Sequence, residues 1–126
     1  MRQERTVKAG VILLAAFPLI TGVLALVAPS VFYEQIGRYG PENLHYVGDS
    51  GAFIAAFGAV LAVTVWRPSW RVPLLSLGAA WYALHALNHL FDTGEARSQA
   101  RGIADCAALA MGAALHAGLA RMQARS

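Results

Sequence analysis

At 126 residues the chain is long enough for one domain, and 57% hydrophobic against 13% charged residues sets it apart from ordinary soluble domains. The formal net charge of +3 reads as a membrane topology signal and gives no support for nucleic-acid binding. The single cysteine, Cys106, excludes an intrachain disulfide and any Cys-based zinc motif.

Crossing a hydrocarbon core of about 30 Å takes about 20 helical residues, and four segments reach that length. The first expected span is residues 9–28, without a charge inside it and with Pro18 and Gly22 mid-helix. Arg2, Arg5 and Lys8 before it imitate a secretory signal. The apolar run is longer than a usual signal core, so the segment is read as a retained span. Pro29 ends it, Ser30 is the expected N-cap of a short interfacial helix to Ile36, and Gly37 is its stop.

The second expected span covers residues 46–66, entered through Asn43, His45 and Asp49. Gly51, Ala55 and Ala59 form a small-residue row on which another helix can pack closely. Arg67-Pro68-Ser69-Trp70-Arg71 reads as a basic aromatic hairpin at the membrane edge. The third span, 72–91, ends in Trp81-Tyr82-Ala83-Leu84-His85-Ala86-Leu87-Asn88-His89-Leu90-Phe91-Asp92. A hydrophilic loop to Arg101 leads to the fourth span, 102–119, with Asp105 just inside it.

Basic residues decide orientation. Arg2, Arg5, Lys8, Arg67, Arg71, Arg121 and Arg125 fall on one side of a four-span arrangement, which places both termini in the cytoplasm of a plasma-membrane protein. Of the seven acidic residues, only Glu4 lies on that side. A polar pocket opening outward accounts for the other six.

The pocket is expected to gather His45 and Asp49 from the second span, His85, Asn88, His89 and Asp92 from the third, and Asp105 from the fourth. His85, His89 and Asp92 fall at i, i+4 and i+7, on one helix face with Asn88 beside them. Ionisable groups in such a helix are costly without partners or a ligand. Imidazole and carboxylate together suit a divalent transition metal, with His85, His89, Asp49 and Asp105 as ligands. No HExxH glutamate is present, so metalloprotease chemistry has no support. In a catalytic version His85 or His89 is the general base, oriented by Asp92 or Asp49, with Asn88 and Asn43 positioning a substrate. A small lipophilic ligand such as a quinone, walled by Trp81 and Tyr82 and touching Asn43, His45 and Asn88, is another reading. A proton relay through an Asp–His pair is a third. The plain alternative is a hydrogen-bonded plug that fixes helix register in a non-enzymatic subunit or assembly factor, whose small-residue faces serve a homo-oligomer or membrane partner. His116 reads as a satisfied interfacial histidine, and Cys106 as a small packing residue.

Asn43-Leu44-His45-Tyr46-Val47-Gly48-Asp49-Ser50-Gly51-Ala52 resembles the N-x-H-x-x-R-D-x-G-A entrance motif of small DoxX-like four-helix membrane proteins. His85-Ala86-Leu87-Asn88-His89-Leu90-Phe91-Asp92 resembles the H-x-x-N-H-x-x-D ending of the third helix in that group. The resemblance extends over nearly the whole chain and implies an all-α, up-down four-helix membrane bundle with a short interfacial helix between spans one and two. It marks Asn43, His45, Asp49, Gly51, His85, Asn88, His89 and Asp92. Gly48 stands where the group usually has arginine. Distant relatives are associated with thiol, thiosulfate or quinone redox chemistry, and the chain has no cysteine pair for disulfide chemistry.

Overall fold

The computed structural model describes residues 1–125. Regular structure among them is helical: α1 (Arg2–Val27), α2 (Pro29–Gln35), α3 (Leu44–Val63), α4 (Arg71–Phe91) and α5 (Gln99–Ala124). Single 3-10 turns at Pro68–Trp70 and Thr93–Glu95 lead into and out of α4. The chain divides into two compact units, Lys8–Pro68 and Met1–Val7 with Ser69–Ser126.

In the Lys8–Pro68 unit, α1 buries Val11, Ala15, Pro18, Gly22 and Ala25. Their spacing of three or four residues draws one stripe down a 3.6-residue helix. The stripe is built of small residues because α3 comes very close. A Cβ on Gly22 would lie 2.3 Å from the Ala55 nitrogen, and one on Gly58 would lie 2.4 Å from the Leu19 nitrogen. Gly51 likewise meets Ala25. The expected third member of the row, Ala59, is exposed, and Gly58 takes its place. The helical repeat brings a packing face back at i+7 as readily as at i+8, and glycine at i+7 admits the closer approach.

Ser30 does not cap α2. Pro29 occupies its first turn, with Ala28 at the cap position and no side-chain cap bond. Proline's fixed φ suits a first helical position, where no N–H is needed. The Tyr33 side chain is buried and its hydroxyl donates to the Gly40 carbonyl, closing the loop to α3. Gly40 sits at φ 59°, a left-handed conformation that glycine adopts without steric cost. Asn43 caps α3, its side-chain oxygen accepting from Tyr46 N at 3.2 Å.

In the other unit α4 and α5 form an antiparallel hairpin, read from their pairings. Gly102 abuts Thr93, Cys106 Sγ donates to the Ala86 carbonyl at 3.3 Å, Gly112 meets the Tyr82 ring, and Gln123 reaches Arg71. The buried stripe of α4 is Arg71, Leu75, Gly78, Tyr82 and Ala86. Continued by one more helical step, this seam arrives at His89. Ser98 caps α5 by accepting from Arg101 N at 3.2 Å.

Three helices, α1, α3 and α5, are long and apolar enough to cross a membrane. Leu13, Phe17 and Phe91 are 72%, 60% and 79% exposed, whereas Arg71 and His116 are each 1% exposed. That inversion of the usual partition, with broad apolar faces outside, fits a protein surrounded by lipid. α4 has 21 residues, but His85, Asn88 and His89 in its last two turns dilute its hydropathy, and it falls outside the group of three.

Candidate functional site

The polar end of α4 keeps the arrangement that its spacing dictates. His85 and His89, one turn apart, bring their Nε2 atoms to 3.1 Å, with ring centroids 4.7 Å apart and planes at 66°. Both are half-buried. Neutral imidazoles at this distance share a single proton, one ring donating and the other accepting. Nδ1 of His85 is buried and makes no hydrogen bond among the described residues. Trp81 flanks His85 at a centroid distance of 5.9 Å, so an indole covers one side of the pair.

Around the pair stand groups with partners of their own. Asn88 Nδ2 donates to Asp92 Oδ2 at 3.1 Å, and Asp92 closes the C-terminus of α4. Asp105 accepts from Arg101 Nε at 2.8 and 2.9 Å. The antiparallel register sets Asp105 opposite the last turn of α4, and its carboxylate and that of Asp92 lie within electrostatic reach of His89. Among the described residues, no three His, Cys, Asp or Glu side chains form a group able to hold a metal ion. His85 and His89 therefore supply two nitrogen donors, and further ligands would have to be of other kinds or from elsewhere.

The remaining expected site residues have local roles. His45 Nε2 and Asp49 Oδ2 pair at 3.4 Å across one turn of α3, with side chains 83% and 67% exposed. This pair and Asn43 belong to the Lys8–Pro68 unit, and His85, Asn88, His89, Asp92 and Asp105 belong to the other. The expected constellation thus draws residues from both units. The oxygen of Asn43 is engaged as the α3 cap. Tyr82 is buried against Gly112 and stacks on the His116 ring at 5.0 Å, which makes it part of the α4–α5 core. His116 is buried, with Nδ1 at 2.8 Å from the Gly112 carbonyl. The hydrogen-bond partner expected for it is present, and glycine at 112 leaves room for both rings.

A second polar cluster has no counterpart in the sequence reading. The buried Arg71 Nη1 donates to both Glu4 oxygens, at 2.8 and 2.9 Å, and to Gln123 Oε1 at 3.0 Å. Gln3 Nε2 donates to the Met122 carbonyl at 2.7 Å. The start of α1, the start of α4 and the end of α5 are tied together there. The available signal was Glu4 itself, a lone carboxylate in an arginine-rich region.

No family model, curated protein or solved structure matches the chain.

Proposed function

We propose that this is a four-span membrane protein whose His85–His89 pair is the donor core of a site for a divalent transition metal ion. The observation that carries the reading is the Nε2–Nε2 separation of 3.1 Å. With metal–nitrogen bonds of about 2.0–2.1 Å, that separation subtends roughly 100° at one ion, between octahedral and tetrahedral values. Water, the Asn88 carbonyl oxygen or a partner's donors would complete the shell, and the Asp92 and Asp105 carboxylates would offset the cation's charge. The resemblance to DoxX-like proteins, which marks the same helix ending, agrees with a site at this place.

The Gln3–Met122 bond supports the fourth span. Three crossings would put the two termini on opposite faces of a bilayer, where residues 3 and 122 could not bond. Four crossings, with α4 included, return them to one face. The surplus of Arg at that end favours the cytoplasm.

Zinc or nickel titration of the purified protein tests the metal reading. One equivalent should bind, and His85→Ala or His89→Ala should abolish the uptake while helicity is kept. Failure of the wild-type protein to take up metal would refute it.

A second reading is favoured by the lack of a third ligand among the described residues. In it the shared His–His proton and the Asn88–Asp92 bond only finish the α4–α5 seam of a non-enzymatic subunit. His85→Leu would then lower the melting temperature or disturb assembly, while the wild-type protein takes up no metal.

A further inference from the structure

At the other end of the α4–α5 hairpin, away from the histidine pair, the first turns of α1 and the last turns of α5 enclose a cleft of about 640 Å³. It is lined by Arg2, Gln3, Thr6, Gly118, Arg121, Met122 and Arg125. Three of these lining residues are arginines. None of the three has an ion-pair partner among the described residues. Glu4, the carboxylate nearest Arg2 in sequence, has both oxygens on Arg71. Like charges brought together in this way repel unless an anion lies between them. The cleft has the form to admit one: Gly118 opens onto free space, with nothing within 4 Å of where a Cβ would stand. The N-terminal end of α1 adds its positive dipole end.

Position narrows the occupant. Both helices bordering the cleft are long and apolar enough to cross a membrane, and the cleft lies at their ends, where lipid phosphates would be met. Guanidinium is matched to phosphate by its planar donor fork. We propose that this cleft binds a phosphate group, presented by an anionic phospholipid headgroup or as a free anion. The site is independent of the histidine pair and stands whether or not that pair binds metal.

The test is native mass spectrometry of the full-length detergent-solubilised protein with phosphatidylglycerol, phosphatidylcholine or inorganic phosphate added. Adducts with phosphatidylglycerol, well in excess of those with phosphatidylcholine, are expected. The Arg121→Gln/Arg125→Gln double variant should bind about 30-fold more weakly, as two lost basic contacts imply. Gly118→Glu sets a carboxylate in open space and should abolish the adduct with the fold intact, which covers the case of a double variant that does not fold. Retention of inorganic phosphate, lost in the same variants, would assign the site to the free anion. Equal binding of both lipids with no phosphate adduct, or binding unchanged in Gly118→Glu, would overturn the proposal.

Discussion

Removing Glu4 should hurt this protein more than removing Arg71, although they are partners in one ion pair. The Arg71 side chain is 1% exposed, and that of Glu4 is 54% exposed. In Arg71→Leu the half-exposed Glu4 carboxylate left behind turns to water. The cost should be about 1 kcal/mol, the scale of a lost hydrogen bond to a solvated partner. In Glu4→Ala the buried guanidinium loses both carboxylate contacts on Nη1 and keeps Gln123 there. Removing one partner of a fully buried pair costs about 3–5 kcal/mol, and the half-exposed setting of Glu4 argues for about 2–3 kcal/mol. The double variant should be less destabilised than Glu4→Ala alone, because the stranded charge is then gone. Thermal unfolding of the four proteins in one detergent, followed by circular dichroism, measures the cycle. Equal costs for the two single variants, or a neutral Glu4→Ala, would refute the assignment of Arg71 as a buried charge that depends on the α1 N-terminus.

Other substitutions separate packing from exposed polarity. Gly22→Leu should be strongly destabilising, well beyond 1–3 kcal/mol for ordinary overpacking, because its Cβ would meet Ala55 backbone, whereas Gly118→Ala should be neutral or slightly stabilising; comparing their unfolding temperatures checks this. Asn43→Ala should cost about 1 kcal/mol through loss of the α3 cap. Asp49→Asn should cost under about 0.5 kcal/mol, since its pair with His45 is exposed. A larger loss in Asp49→Asn than in Asn43→Ala, measured in the same melts, would show that the α3 entrance holds more than a cap and a surface pair.

Much of the fold could be read directly because apolar length and breakers are local properties. Each long helix contains most of its expected span, and α2 lies within two residues of its expected place. The ends were less legible: α1 begins at Arg2 and α5 runs to Ala124, since charged flanks are good helix formers that hydropathy cannot see. The His85–His89 contact followed from i, i+4 spacing alone, and the structure keeps it. What depends on partners distant in sequence was not legible. The choice of Gly58 over Ala59, the stacking of His116 on Tyr82 and the engagement of Glu4 by Arg71 are all decided by which helices meet and at what register. The grouping of His45 and Asp49 with the α4 histidines rested on a shared membrane side. Within its own unit that pair closes on itself at the surface of α3.

The X-ray absorption spectrum of the zinc-loaded protein bears most directly on the histidine pair. The account predicts two imidazole nitrogens at about 2.0–2.1 Å from the metal, a signal absent in His85→Ala because that variant takes up no metal. A spectrum with no imidazole scattering, or one that His85→Ala leaves unchanged, would contradict it.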